Sequence, residues 1–241
     1  MPRYFIEVAY KGTAYSGFQV QQNANSIQSE VEKALKIFYR QDIVLTGSSR
    51  TDAGVHALQN FFHFDSPAII KDASYQLNAI LPGDIVVKEI TEVAAEAHCR
   101  FDAIAREYNY YIYHKKDPFI EDRAYYYPYT LDMERMNEAA RSILQYEDFS
   151  SFSKRNTQVK SFLCTIAASE WIQADEQLVY SVKANRFLRG MVKGLVGTML
   201  QVGRGKLTVE QFKAVIESKD PSRADFSVPS HGLFLVKVSF Q

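Results

Sequence analysis

Net charge is missing from this chain: Lys plus Arg and Asp plus Glu stand at 28 each among 241 residues. A polyanionic partner is therefore not announced by composition, and binding one would require cations gathered on one face. Cysteine is scarce. Cys99 and Cys164 are far apart in sequence, which excludes a disulfide-dense secreted scaffold. Free thiols in a reducing compartment are the simplest reading. The five histidines (His56, His63, His98, His114 and His231) show no HxxxH or CxxC spacing, so no metal and no structural zinc is expected. No apolar run is long enough to cross a bilayer. Met1-Pro2-Arg3 leads straight into a strand pattern without a secretory apolar region, so the expected location is the cytoplasm.

Aromatic residues are plentiful, at 13% with 15 Tyr and 16 Phe. Most suit a core, and a surplus of Tyr is also compatible with base stacking. The length suffices for one domain or two close-packed halves.

Hydrophobic periodicity organises the chain. Alternation predicts strands at Tyr4 to Tyr10, Gln59 to Phe64, Ile85 to Ile90, Arg106 to Tyr113 and Leu233 to Phe240. Thr165 to Trp171 and Val179 to Ala184 read as a hairpin turning near Asp175-Glu176. Helical spacing of Ile27, Val31, Ala34, Leu35 and Phe38 follows Asn25, a cap with Gln28 completing its box. Further helices are expected at Ala73 to Ile80, at Leu131 to Leu144 with Met133, Met136, Ala140 and Leu144 on one side, and at Arg186 to Val202, the longest, ended by Gly203. Thr208 caps the next helix, with Gln211 as partner. Strand, helix, strand, strand recur in that order with hairpins and crossovers mixed. That predicts an α+β fold with a largely antiparallel sheet and helices on one face. A change of unit falls between Ala94 and Ala105, giving an N-terminal half of residues 1–105 and a C-terminal half of residues 106–241.

The most informative stretch is Gly47-Ser48-Ser49-Arg50-Thr51-Asp52-Ala53-Gly54-Val55-His56-Ala57. It follows the apolar run Ile43-Val44-Leu45 and precedes Phe61-Phe62, so it reads as a loop between two buried strands. Gly54 lets the backbone turn. A nearby cation such as Arg50 favours the charged form of Asp52, as a nucleophile or general base requires. Taken alone, an Asp in a Gly-containing loop is most often an Asx-turn or a cap.

Arg-Thr-Asp-Ala-Gly-Val-His-Ala, here Arg50 to Ala57, resembles the signature of the TruA-type tRNA pseudouridine synthase family. The family usually carries Gly at the position of Ser49. Arg106-Glu107-Tyr108-Asn109-Tyr110 is similar to its Arg-x-Tyr-x-Tyr, and Phe187-Leu188-Arg189-Gly190-Met191-Val192-Lys193-Gly194-Leu195-Val196-Gly197 to its Phe-Leu-Arg-x-Met-Val-Arg-x-Ile-Val-Gly. Ala97-His98-Cys99-Arg100-Phe101 resembles Phe-His-Ala-Arg-Phe, and Gly232-Leu233-Phe234-Leu235 resembles Gly-Leu-Tyr-Leu with Phe234 for Tyr. The motifs run from Gly12 to Val238 in the family's order.

The resemblance implies two similar halves whose largely antiparallel sheets join across a central basic cleft, together forming one catalytic unit. It implies an isomerase that needs no cofactor. That enzyme would convert uridine to pseudouridine at positions 38 to 40 of the tRNA anticodon stem-loop, and would be a homodimer. Asp52 would be the catalytic carboxylate. Arg50, Tyr108, Lys193, Arg189 and Phe234 would bind the substrate nucleoside. Tyr108 would stack on the flipped base, and Lys193 would pair with Asp52 as a point charge where the family has Arg. Period two puts Arg106, Tyr108 and Tyr110 on one strand face, and helical spacing of four puts Arg189 with Lys193. Glycines 190, 194 and 197 form a stripe open to close backbone approach. RNA contacts are expected at His98, Arg100 and Phe101, and in the basic polar loop Lys154 to Lys160 at Asn156, Thr157, Gln158 and Lys160. Taken without the resemblance, a Tyr-rich strand is core packing, and a polar loop is ordinary solvated surface. Two rival readings remain. One is a tRNA-binding module without catalysis. The other is a glycosidic hydrolase, which needs a second acid; Glu107 is the nearest, but alternation turns it away from Tyr108.

Overall fold

A computed structural model of the chain describes residues 1–67, 73–154 and 159–241. They form two compact units, residues 1–104 with 234–241, and residues 105–233. The last strand in sequence therefore returns to the first unit.

In the first unit β1 (Arg3–Tyr10) pairs antiparallel with β3 (His56–Asp65) on one side and β4 (Ile85–Val93) on the other. The two-residue β2 (Thr46–Gly47) adds to β3. The last strand, β9 (Leu233–Phe240), meets β3 in parallel at His56↔Phe234 and Ala57↔Leu235. Register follows from burial. Tyr4, Ile6, Val8 and Tyr10 alternate inward on β1 and lie opposite Phe64, Phe62, Asn60 and Ala57 on β3. A slip by one residue would turn that whole set to solvent. The apolar stripe of α1 (Ile27–Tyr39), formed by Ile27, Val31, Ala34 and Leu35, completes this core with Leu77 of α2 (Ser74–Ile80). The opposite face carries a ring cluster, Phe5 with Phe61, His63 and Phe240 at centroid distances of 5.4 to 6.4 Å.

In the second unit β5 (Ala103–Tyr113) pairs antiparallel with β8 (Gln177–Ala184), and β8 with β7 (Ile166–Ala174); the short β6 (Tyr125–Tyr126) runs parallel to β5. The β7–β8 turn holds Asp175 with a positive φ of 50°. Helix α3 (Met133–Ser142) packs on α4 (Met191–Gly203), α5 (Val209–Glu217) and β7. Thr208 and Gln211 form the capping box of α5, as their spacing predicts. The fold is α+β with a largely antiparallel arrangement of nine strands and five α-helices among the described residues.

Four local expectations are corrected. Ser26, not Asn25, caps α1, exchanging hydrogen bonds with Ser29. Gln28 is thereby turned inward, where its amide donates to the Leu45 carbonyl at 2.8 Å. Ile43 to Leu45 is irregular rather than a strand; Ile43 and Leu45 are buried while Val44 faces solvent. Beyond α3 the chain tightens into a 3-10 turn, which buries Ile143 and leaves Leu144 exposed. Finally, α4 begins at Met191, because Gly190 adopts a left-handed conformation at φ 76° and the Met191 amide closes a turn onto Leu188. Arg189 thus precedes the helix and does not share a helical face with Lys193. Of the three glycines, Gly197 is the one under backbone: a Cβ there would meet the Asp225 carbonyl oxygen at 2.2 Å.

Candidate active site

The loop from Ser48 to Val55 is held from every side within the first unit. Its entry is fixed by the Ser48 amide donating to Phe61 O at 2.8 Å. Asn60, fully buried on β3, donates its amide to the Ser49 carbonyl at 2.8 Å and to the Tyr10 hydroxyl at 3.2 Å. The Tyr10 hydroxyl also shares a hydrogen bond with Thr51 Oγ1, 2.8 Å away. The Thr51 carbonyl accepts from the Phe18 amide at 3.1 Å, and the Asp52 carbonyl from the Val55 amide at 3.2 Å. Gly54 turns at φ 76°. Two further glycines let other segments close in. Gly17, at φ 107°, has room for no Cβ beyond 3.0 Å from Thr51 O, and a Cβ on Gly12 would sit 2.0 Å from Val55 O.

These contacts fix the backbone on both sides of Asp52 and leave its side chain half-buried, with Arg50 exposed. His56, fully buried, accepts the Gly12 amide on Nδ1 at 3.1 Å, which places its ring proton on Nε2. Its ring stacks on Phe234 at 4.5 Å. Phe234 therefore packs beside the end of the Asp52 loop.

In the second unit Tyr108 and Tyr110 lie on one face of β5, both buried. Tyr108 meets Phe187 edge-on at 5.0 Å. Tyr110 donates to the Pro229 carbonyl at 2.8 Å and lies over Gly232, where a Cβ would come within 2.8 Å of its ring. Burial pushes the Tyr110 phenol well above its ordinary pKa, so it stays a donor. Half-buried Lys193 donates to Ser230 Oγ at 3.3 Å, so the turn at 229–232 touches both the tyrosine face and this cation. Arg106 donates to the Asn185 carbonyl at 3.0 Å. Arg189 is exposed, and its carbonyl accepts the Lys154 amide.

Of the expected RNA contacts, Arg100 and Phe101 are exposed, with the guanidinium 5.7 Å from the ring centroid. His98 lies between Phe101 and His63, at 4.1 and 4.5 Å. Its Nδ1 accepts from the Arg100 and Phe101 amides. Lys160 is exposed, and Asn156, Thr157 and Gln158 lie outside the described residues. Cys99 is fully buried beside His63, with Sγ 3.1 Å from Nδ1. Burial, helped by His98 and Arg3, pushes the His63 imidazole down to about 4.

The family described as tRNA pseudouridine synthase matches residues 6–102 and 139–241. The chain is 47% identical over 245 residues to tRNA pseudouridine synthase A of Bacteroides thetaiotaomicron, covering 100% of this chain and 91% of that protein. It is 46% identical over 243 residues to the protein of that name in Parabacteroides distasonis, covering 100% and 96%. The identity is 36% over 240 residues to that of Staphylococcus aureus, covering 98% and 90%. The chain belongs to the tRNA pseudouridine synthase family. It is an isomerase that acts on tRNA.

Membership gives the family's departures a physical reading. Ser49 stands where the synthases usually have Gly, and its backbone does not need a left-handed conformation; Gly17 and Gly54 take the positive φ values around the loop. Phe234 lacks the hydroxyl of the usual Tyr and uses its ring face on His56. Asn60, Tyr10 and His56 escaped the sequence reading. One signal was available: on a strand of period two, Asn60 shares the inward face with Phe62 and Phe64, and a polar side chain there must have partners.

Proposed function

We propose that this synthase converts uridine to pseudouridine at positions 38 to 40 of the tRNA anticodon stem-loop, with Asp52 as the catalytic carboxylate. The N1–C1′ bond breaks, the base turns, and a C5–C1′ bond forms; C5 loses a proton and N1 gains one, with no change of oxidation state. A carboxylate alone serves this chemistry, by attack on C1′ or C6 or by taking the C2′ proton. The observation that carries the reading is the half-buried Asp52 on a loop whose flanking backbone is fixed by β1 and β3 side chains. A preorganised group loses little freedom when the substrate arrives.

The remaining roles follow from exposure and chemistry. Arg50 enters the RNA and drives out the target base, which is inaccessible while stacked; its exposure next to Thr51 supports this role. Tyr108 supplies a ring for the extruded uracil, and Phe234 an apolar surface. Lys193 supplies positive charge to the carboxylate, with Arg189 as a second cation. His98, Arg100, Phe101 and the loop through Asn156, Thr157, Gln158 and Lys160 engage the phosphate backbone, which positions RNA without reading its sequence. The chain works as a homodimer in the cytoplasm on this reading. Pseudouridine mapping of tRNA incubated with the purified chain tests it: new pseudouridine confined to positions 38 to 40 supports the assignment, and modification elsewhere refutes the site.

A further inference from the structure

His63 and Cys99, which have no part in the proposed function, lie with His98, given above only a contact to the phosphate backbone, and the three side chains are placed for a metal ion. The donor atoms of His63, His98 and Cys99 lie within 4.8 Å of one another. The fold makes this cluster, since β3 supplies His63 and the turn before β5 supplies the other two. Two donors about 2.0–2.3 Å from a tetrahedral ion stand roughly 3.3–3.8 Å apart. His63 Nδ1 and Cys99 Sγ are 3.1 Å apart, so an ion between them spreads them by only a few tenths of an ångström.

We propose that His63, His98 and Cys99 bind one zinc-class divalent cation, with water as the fourth ligand, fastening the 98–102 turn to β3. Two imidazoles and a thiolate select zinc or cobalt over magnesium or calcium, which prefer oxygen. Residual positive charge is answered locally. Asp65 and Asp102 both bear electrostatically on His63, and Asp102 Oδ2 accepts the His98 amide at 2.7 Å. Arg3, the opposing cation, is engaged by Asp65 at 2.7 and 2.9 Å. Nδ1 of His98 accepts only long contacts, from the Arg100 and Phe101 amides at 3.2 and 3.4 Å, and the Phe101 amide also donates to the His98 carbonyl at 3.1 Å, so that either ring nitrogen of His98 can serve as the ligand. On binding, the Cys99 thiol releases its proton to solvent and gives up its hydrogen bond to Thr46 O; the thiolate donates an electron pair to the ion, and nothing is oxidised or reduced.

The test is titration of the full reduced chain with Co²⁺, followed by Zn²⁺. The expected result is one equivalent of thiolate-to-cobalt charge-transfer absorption, erased by zinc. Cys99→Ala, which installs the Ala of the family motif in a small buried site, should lose the band and keep pseudouridine formation. Cys164→Ala should keep the band. Wild type without the band, or Cys99→Ala with it, overturns the proposal.

Discussion

Asn60 and Ser49, eleven residues apart, are joined by a 2.8 Å hydrogen bond from the Asn60 amide to the Ser49 carbonyl. The same amide reaches the Tyr10 hydroxyl, which meets Thr51. One buried strand residue thereby sets the path of the loop that carries Asp52. Asn60→Ala would remove the hydrogen bonds to the Ser49 carbonyl and the Phe61 amide, each worth about 0.5–1.5 kcal/mol net. Displacement of a catalytic group by about 1 Å costs on the order of a hundredfold in rate. Asn60→Ala should therefore lower the melting temperature modestly and kcat by tenfold or more on that scale, with the KM for tRNA little changed. Steady-state kinetics and a thermal melt check both.

Gly12, just beyond β1, lies against the end of the Asp52 loop. A Cβ there would overlap the Val55 carbonyl oxygen at 2.0 Å, and both partners are backbone. Gly12→Ala should destabilise by roughly 1–3 kcal/mol, the usual cost of overpacking. Gly83→Ala is the control, since a Cβ there meets nothing within 4 Å. Denaturant unfolding of the two variants should separate them clearly.

Asp225 gives the second unit a pH dependence. Burial raises its pKa, but hydrogen bonds from Ser227 and Gln201 and the charge of Lys206 outweigh that, so the carboxyl stays below its ordinary value. A carboxyl depressed in the folded state contributes stability that is complete above its unfolded pKa, about 3.9, and is lost as pH falls through the folded value. Asp225→Asn, which keeps a neutral acceptor but loses the charge, should weaken the protein at neutral pH by roughly 1 kcal/mol, the difference between a charge-assisted and a neutral hydrogen bond. The gap to wild type should then close as pH falls below about 4. Unfolding midpoints between neutral pH and the acid limb measure it.

Lys193 has the charge its proposed role needs, without the fork of an arginine. Lys193→Ala should cut kcat by about tenfold or more, the scale of one lost favourable charge interaction in a site. Lys193→Arg should restore most of it. A larger effect on KM than on kcat would point instead to phosphate binding.

Local patterns in the sequence carried most of the fold. The alternating strands, the Thr208 box and the β7–β8 turn are set by neighbours in the chain and were readable there. Features decided by competition were not. Gly190 reads as one more helix residue until its left-handed backbone excludes Arg189 from α4. Asn25 and Ser26 are both capping residues, and the choice fell to the one whose partner, Ser29, could reciprocate while Gln28 turned to the core. At the site, the Arg50 to Ala57 motif was legible as a whole. Its bracing by Asn60, Tyr10 and His56, and the meeting of His63 with His98 and Cys99, depend on strand pairing that no spacing encodes.

The central claim is that the Asp52 carboxylate performs the isomerisation. Tritium release from C5-labelled uridine in tRNA measures this step directly, and Asp52→Asn keeps the size of the native side chain and the Val55 amide's bond to its backbone carbonyl. The variant should fold with an unchanged circular dichroism spectrum, bind tRNA, and release no tritium above background. Release at the wild-type rate by a folded Asp52→Asn protein would contradict the role assigned to that carboxylate.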